Sequence, residues 1–137
     1  MKAIVFYQHG TLDQVEVADV PQPEIGPQDV LLQVKAAALN RLDLWVLAGW
    51  PGLNLKLPHI MGSDGAGIVT AVGADVTHVQ VGDHVAVNPT LWDPNDAFAR
   101  AGQDNMSGSF AIIGEHVDGF FAEYASVPAR KWLLPLI

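Results

Sequence analysis

The residues best suited to chemistry lie in the stretch 58–73, PHIMGSDGAGIVTAVG. It holds four glycines and a single acid, Asp64, shortly before the apolar β-branched run 68–72. Glycines at this density indicate tight turns or close backbone approach, and the apolar run predicts a buried strand. Asp64 is therefore expected on a crowded turn at the mouth of a strand. There it is either a functional carboxylate or an ordinary turn aspartate.

The chain has few residues that are suited to bind a metal ion. There is no cysteine, which excludes disulfides and thiolate metal sites and is compatible with a cytoplasmic location. The acidic loop from Asp93 to Asn105 offers oxygen atoms to a hard cation but lacks the EF-hand spacing, so a solvated loop is favoured. The histidines show no paired-ligand spacing, and each is predicted to be a surface or hydrogen-bonded residue: His9, His59, His78, His84 and His116.

Size and charge narrow the class of protein. At 137 residues the chain is predicted to form one domain with its own core. Half of the residues are hydrophobic and 16% are charged, which excludes a disordered tail. The net charge of −8 argues against a nucleic-acid partner, because lysine and arginine carry most phosphate binding. No apolar run approaches the length of a membrane span, so no membrane partner is expected.

The elements that must position these residues are mostly short strands. The helical spacing of apolar residues between Leu39 and Leu47 predicts one short helix, which ends near Gly49. The polar stretch 94–109 is predicted to be a long surface loop. The apolar end 131–137 is predicted to be either a cut end or a surface that continues into something else. Alternation and β-branched runs predict strands at 3–7, 15–20, 29–37, 68–72, on either side of a turn at 82–83, and at 120–127.

Three motifs carry a family resemblance: the GSDGAG turn before IVTAVG, then VGDHVAVNP, then DGFFAEYASVP. In order and spacing they resemble the N-terminal, GroES-like domain of the medium-chain dehydrogenase/reductase superfamily. That superfamily includes zinc alcohol dehydrogenases and zinc-free quinone oxidoreductases. The resemblance implies a mostly β, GroES-like β-barrel with a few short helices over residues 1–137. No G-x-G-x-x-G sequence occurs, so the Rossmann half of the superfamily is missing from this chain.

The same resemblance places the zinc ligands of alcohol dehydrogenases on unsuitable residues. The catalytic-zinc cysteine and histidine fall at Asn40 and Ser63, whose neutral amide and hydroxyl are poor zinc ligands. The hydroxyl and histidine of the proton relay fall at Leu42 and Trp45. The four cysteines of the structural zinc lobe fall at Asp93, Asp96, Ala99 and Ser107. No zinc and no other metal site is therefore expected.

The block Asn40-x-x-Asp43 and the turn Gly62-Ser63-Asp64 resemble zinc-free quinone oxidoreductases instead. Those enzymes transfer hydride from NADPH to a quinone or to the β-carbon of an enone, and the nicotinamide carries the chemistry. The resemblance implies three groups of site residues. They are Asn40, Asp43 and Asp64 as catalytic residues, Asn40 and Arg41 as cofactor-binding residues, and Trp45, Trp50 and Ser63 as the wall of a substrate pocket.

Each role has a structural alternative that stays open at this point. Asn40 is expected to donate its amide to the substrate carbonyl or the nicotinamide ribose, and Arg41 to contact the cofactor pyrophosphate. Arg41 is otherwise a solvated helix residue, and Trp45 a core residue. Asp43 is otherwise a capping or loop-bonding residue. Asp64 is expected to hold Arg41 or a loop in place, or else to accept backbone N–H bonds in its own turn.

The resemblance implies the substrate-side domain of a longer, zinc-independent NAD(P)H-dependent oxidoreductase that reduces quinones or enones. The chain alone is expected to be inactive, because NADP or NAD would be bound through the missing Rossmann domain of a homodimeric parent. The apolar end 131–137 would then begin the crossover into that domain. Two alternatives remain: a zinc alcohol dehydrogenase relative that has lost its zinc sites, and a non-catalytic, stand-alone GroES-like binding module.

Overall fold

The structure is a computed structural model that describes residues 1–129 and the backbone of residues 133–135. Within these residues short strands dominate and helices are few. The helices are α1 (Arg41–Ala48), α2 (Ala97–Arg100) and two 3-10 turns (Leu12–Gln14 and Asp104–Met106). The strands are β1 (Lys2–Phe6), β2 (Val15–Asp19), β3 (Asp29–Ala38), β4 (His59–Ile60), β5 (Asp64–Val72), β6 (His84–Val87), β7 (Thr90–Leu91), β8 (Ala111–Ile112), β9 (Tyr124–Pro128) and β10 (Leu133–Pro135).

The described strands form three antiparallel sheets, which confirms the mostly β prediction. One sheet has the order β2-β1-β4, the larger sheet has the order β10-β6-β5-β3-β9, and β7 pairs with β8. Strand β3 lies between β5 and β9, with Leu32 opposite Val69 on one side and Ala125 on the other. The register of β3 against β5 also places Ala38 opposite Asp64, at the end of the sheet where the candidate residues lie.

Two apolar clusters hold this end of the molecule together. The main core lies on the larger sheet and includes the fully buried Leu32, Val69 and Phe120. Burial of one such side chain stabilises the fold by about 1.5–3 kcal/mol. The second cluster joins helix α1 to strand β1 and to the residue after β4, through Phe6, Val46, Leu47 and Met61. An isolated helix of this length would be only marginally stable in water, so the packed face stabilises helix α1.

The predicted helix and the strands around it are confirmed with small changes at their ends. Strands β1, β2 and β3 lie within one or two residues of the predicted ranges. Helix α1 begins at Arg41 and ends at Ala48, and Gly49 follows with a φ of 74°. Glycine is the residue that most readily takes this left-handed conformation after a helix. Strand β5 begins earlier than the predicted 68–72, at Asp64, and includes Gly65 and Gly67.

The prediction of a strand before the turn at 82–83 is wrong. Residues 76–81 form no strand, and only β6 after the turn is paired. The alternating valines that suggested a strand serve packing instead, because Val79 lies in the main core and Val76 packs against it. In the larger sheet β6 already lies between β5 and β10, which leaves no free edge there for another strand.

The strand predicted at 120–127 begins later, at Tyr124. Its first residues pair elsewhere, because the N–H groups of Phe120 and Phe121 donate to the carbonyls of Gly62 and Met61. The polar stretch 94–109 is mainly loop, as predicted, but contains α2 and a 3-10 turn. The predicted apolar end 131–137 lies largely outside the described residues. No helix in the described part of the chain is both long and apolar enough to cross a membrane.

Candidate functional site

The N-terminus of helix α1 is built from a reciprocal pair of hydrogen bonds. Asn40 precedes the helix in an extended conformation, and its backbone N–H donates to Oδ2 of Asp43 at 2.7 Å. The backbone N–H of Asp43 in turn donates to the carbonyl of Asn40 at 3.1 Å. A carboxylate in the first turn also matches the positive end of the helix dipole. Asp43 therefore caps the start of its own helix, in agreement with the capping role predicted as its alternative.

The turn before β5 depends on glycine at Gly62. Its φ is 102°, and a Cβ atom there would lie 2.5 Å from the Phe121 ring. A loop from Gly114 to Gly119 crosses this turn so closely that a Cβ on either glycine would meet the Gly62 backbone at 2.2–2.5 Å. The N–H of Phe120 donates to the Gly62 carbonyl at 2.9 Å. The loop and the turn are thus packed backbone against backbone, which only glycine permits.

The two segments meet through Asn40 and Asp64, which are 24 residues apart in sequence. Nδ2 of Asn40 donates to Oδ2 of Asp64 at 2.9 Å, and more weakly to the Ala38 carbonyl at 3.4 Å. The structure therefore pairs Asp64 with Asn40 rather than with Arg41. Because the Asn40 amide already has these partners, donation to a substrate carbonyl would require the Asn40–Asp64 pair to open.

Beneath this pair lie two buried polar side chains, Asp43 and Ser63, each 5% exposed. Within the described residues, Oγ of Ser63 is buried and has no hydrogen-bond partner. Oδ2 of Asp43 accepts from the Asn40 N–H, whereas its buried Oδ1 has no partner with full hydrogen-bond geometry. Burial raises the pKa of Asp43, the N–H groups of Asn40 and Gly62 oppose this rise, and the charge of Asp64 adds to it. Unpaired buried oxygens are rare in folded proteins, which marks this cluster as unusual.

The aromatic residues predicted to line a pocket are not buried together. Trp45 is 56% exposed and Trp50 is 41% exposed, whereas Ser63 is buried. The alternative that Trp45 is a core residue is wrong, because the packed face of α1 carries Val46 and Leu47 instead. The guanidinium of Arg41 lies 5.9 Å from the centroid of the Trp45 ring. Arg41 forms no ion pair within residues 1–129, so its charge remains open to an anion.

Sequence reasoning missed the importance of His59, which is 2% exposed and fully packed. Its Nε2 lies 3.1 Å from the Gly114 carbonyl, and its ring contacts Phe6 edge-on. A carbonyl can only accept, so Nε2 carries the proton. Burial lowers the pKa of His59, while the Gly114 carbonyl and Asp118 act in the opposite direction. His59 therefore anchors the loop that crosses Gly62, and no local pattern in the sequence announces this long-range contact.

The lobe 93–109, where the resemblance placed four zinc cysteines, is held by its own hydrogen bonds. Oδ1 of Asp93 accepts from the N–H of Asn95, and Oδ1 of Asp96 accepts from the N–H of Phe98 at the start of α2. Ser107 and Ser109 are hydrogen-bonded through their Oγ atoms at 2.9 Å. No group of three or more histidine and acidic side chains with metal-binding geometry occurs within the described residues.

We expect this lobe to keep its conformation in the presence of a chelator, because its own side chains cap the turns at the positions where the resemblance placed zinc ligands. Replacing Asp96 with alanine removes the acceptor at the start of α2 and is expected to destabilise that turn by about 0.5–1 kcal/mol. The measurement is hydrogen exchange at the Phe98 amide, with exposed Asn105→Ala as the control. One tightly held zinc ion per chain in a metal analysis would contradict the prediction.

A cavity of about 490 Å³ lies away from the Asn40–Asp64 pair, between the two larger sheets. Strand β9 contributes Tyr124 and Ser126 to its lining, Val5 and Ile60 form part of its apolar wall, and Lys56 is its lysine. None of the predicted site residues lines this cavity. The predicted substrate pocket and this cavity are therefore different places on the molecule.

Known proteins similar to this chain are dehydrogenases and reductases. A family described as alcohol dehydrogenase GroES-like domain matches residues 26–136. The L-threonine 3-dehydrogenase of Pyrococcus horikoshii is 36% identical over 138 residues, which cover 98% of this chain and 39% of the relative. An alcohol dehydrogenase of Schizosaccharomyces pombe is 36% identical over 126 residues, which cover 89% of this chain and 35% of the relative.

Solved structures of similar proteins have the same fold as this chain. The crystal structure of an NAD-dependent alcohol dehydrogenase superposes with a TM-score of 0.93 at 44% identity, over 98% of this chain and 39% of that one. A crotonyl-CoA carboxylase/reductase superposes with a TM-score of 0.88 at 34% identity, over 98% of this chain and 33% of that one. The chain thus spans about two fifths of the length of the curated relatives it matches.

Proposed function

Since the chain belongs to the alcohol dehydrogenase GroES-like domain family, we propose that it is the substrate-side domain of a longer NAD(P)-dependent oxidoreductase that works without zinc. The observation that carries this proposal is the hydrogen bond between Asn40 and Asp64. It engages Asn40, at the position where the family resemblance puts a zinc ligand, in a direct hydrogen bond between two segments. The short span of the chain relative to its relatives supports a missing cofactor half.

The proposed reaction is reduction of a quinone or an enone. The nicotinamide of NADPH or NADH would supply the hydride when bound. Such substrates need no Lewis acid, because an activated carbonyl already accepts hydride. The role of the protein in catalysis would be to position the reactants and to exclude water.

Three features of this chain are suited to positioning a cofactor and a substrate. Arg41 is exposed and unpaired within residues 1–129, which fits it to meet a phosphate of the cofactor. Trp45 and Trp50 present aromatic surface to solvent and fit a flat ring. The Asn40–Asp64 pair adds a polar group that is held in a fixed orientation. The longer parent is expected to be a homodimer that pairs through its cofactor half.

A second candidate function is alcohol oxidation by a relative that has lost both zinc sites. The observation that favours it is the lobe 93–109, which keeps a folded, internally bonded conformation although its four predicted ligand positions carry Asp93, Asp96, Ala99 and Ser107. The names of the similar proteins, which include alcohol and threonine dehydrogenases, point the same way. The two candidates differ in the hydride acceptor and can be separated by one assay.

In the longer parent protein we expect NADPH- or NADH-dependent reduction of 1,4-benzoquinone or 2-cyclohexenone that persists after treatment with a chelator. Asn40→Ala is expected to lower kcat/KM by about 10-fold or more, because the fixed polar pair is lost. Asn54→Ala, which changes an exposed asparagine, is the control. The 137-residue chain alone is expected to give no turnover.

Each outcome of this assay separates the candidates. Loss of activity in the chelator, or turnover of alcohols but not of quinones and enones, would contradict the proposed reaction. Turnover by the isolated 137-residue chain would contradict the assignment of the cofactor to a missing half.

A further inference from the structure

The orientation of the Asn40 side chain is fixed by its partners. A carboxylate can only accept hydrogen bonds, so the atom that faces Asp64 at 2.9 Å must be the amide nitrogen. The same nitrogen faces the Ala38 carbonyl at 3.4 Å, which is also an acceptor. Both N–H groups of the amide therefore point at protein atoms. Asn40 is positioned to hold Asp64 rather than to present a donor to a ligand.

Asp64 is consequently the polar group that this cluster offers to the outside. It is exposed at the first residue of β5 and forms no ion pair within residues 1–129. One of its oxygens is held by Asn40, which fixes the plane of the carboxylate. An ionised carboxylate accepts hydrogen bonds and cannot donate them.

A second observation points to a ligand at the same turn. Oγ of Ser63 is buried without a partner in the described part of the chain, and Ser63 is 5% exposed. Leaving such an atom unpaired costs about 1–3 kcal/mol. Ser63 immediately precedes Asp64, and the pKa of Asp43 responds to the charge of Asp64. The turn therefore keeps an unpaired polar atom beside the Asp64 carboxylate, although this lowers the stability of the folded chain.

We propose that Asp64 determines specificity by accepting a hydrogen bond from a hydroxyl group of the bound ligand, and that Asn40 is the positioning residue that orients it. The proposal rests on the proposed function and adds the chemistry that the site selects. A bare quinone or ketone oxygen is an acceptor and would be repelled by the carboxylate. The hydroxyl has two sources: the ribose of the nicotinamide cofactor, or a hydroxyl carried by the substrate beside its carbonyl.

The first test concerns the pair itself and uses the 137-residue chain labelled with ¹⁵N. We expect the side-chain amide signals of Asn40 to shift strongly in Asp64→Ala. They are expected to stay within about 0.05 ppm of their wild-type positions in Asp75→Ala, which removes an exposed acid of the same chain outside the pair. Equal spectra of Asn40 in wild type and Asp64→Ala would overturn the positioning role.

The second test uses three small probes on the same chain: methyl riboside, hydroxyacetone and acetone. We expect saturable shifts at the Ser63, Asp64 and Gly65 amides with a Kd on the order of 0.1 M, as one charge-assisted hydrogen bond allows. Shifts with methyl riboside identify the ribose as the source of the hydroxyl, and shifts with hydroxyacetone identify the substrate. Both sets should disappear in Asp64→Ala and persist in Asp75→Ala.

Two results would overturn the proposal. One is the absence of a saturable change with either hydroxyl probe. The other is a change with acetone as large as that with hydroxyacetone, because acetone has no hydroxyl to donate. Neither result depends on turnover, so they leave the proposed reductase activity to be judged by its own assay.

Discussion

Replacing Gly62 with alanine is expected to lower the free energy of unfolding by about 2–5 kcal/mol. The backbone at this residue has a φ of 102°, where a side chain costs about 1–2 kcal/mol. The added Cβ would also lie 2.5 Å from the ring of Phe121, and overpacking of this kind costs about 1–3 kcal/mol. Urea unfolding of the 137-residue chain, followed by tryptophan fluorescence, measures the loss.

Gly52→Ala is the matched control, since Gly52 has nearly the same φ without the crowding. Its φ is 96°, and no atom lies within 4 Å of the position that a Cβ would take. Gly52→Ala should therefore show only the backbone part, about 1–2 kcal/mol. Equal losses in the two variants would contradict the claim that close packing against Phe121 shapes the Gly62 turn.

Gly62→Ala should change the geometry of the candidate site in addition to lowering the stability of the fold. The turn carries Ser63 and Asp64, and the loop that crosses it is hydrogen-bonded to the Gly62 carbonyl. A shift of the turn by a few tenths of an ångström would lengthen the 2.9 Å bond between Asn40 and Asp64. The geometry of the candidate site is therefore set by glycine packing beneath it as much as by the polar residues themselves.

Local patterns in the sequence were sufficient to predict most of the strands and helix α1. The strand at 29–37 follows from its apolar run, and helix α1 follows from the apolar spacing between Leu39 and Leu47. These patterns succeed because the period of the apolar residues matches the faces that the elements bury. They fail at 76–81, where valines at strand-like spacing pack into the core through a loop.

The candidate site was only partly predictable, because its decisive contacts are between distant residues. The sequence identified Asn40, Asp43 and Asp64, but not that the amide of Asn40 is already engaged by Asp64. Helical spacing placed Trp45 on a face of α1 without revealing what covers that face, and it is exposed. The contact between His59 and the loop at Gly114 spans 55 residues, and no local rule reports such a pairing.

The second large effect is expected at His59, whose contribution to stability should depend on pH. Burial lowers its pKa in the folded chain, whereas the unfolded chain protonates near the ordinary value of 6.5. Below that value the unfolded state binds more protons than the folded state, so the free energy of unfolding falls as the pH falls. Asp118 at 3.6 Å opposes this shift and His9 adds to it, but burial is the largest cause.

His59→Phe tests this directly, because phenylalanine keeps the ring contact with Phe6 and removes both the proton and the hydrogen bond to Gly114. At pH 7.5 we expect a loss of about 1–3 kcal/mol, since the buried Gly114 carbonyl loses its side-chain donor. Between pH 7.5 and 5 the stability of the variant should fall less steeply than that of the wild type. Urea unfolding at each pH gives both quantities.

The control is His84→Phe, which makes the same substitution at an exposed histidine on β6. A flatter dependence of stability on pH in the His59 variant but not in the His84 variant would assign the effect to His59. If His59→Phe and the wild type lose stability equally between pH 7.5 and 5, the buried neutral imidazole is not the origin of the acid sensitivity. If the slope flattens as expected, mild acid weakens the anchor at Gly114, and through it the loop that fixes the turn of Ser63 and Asp64.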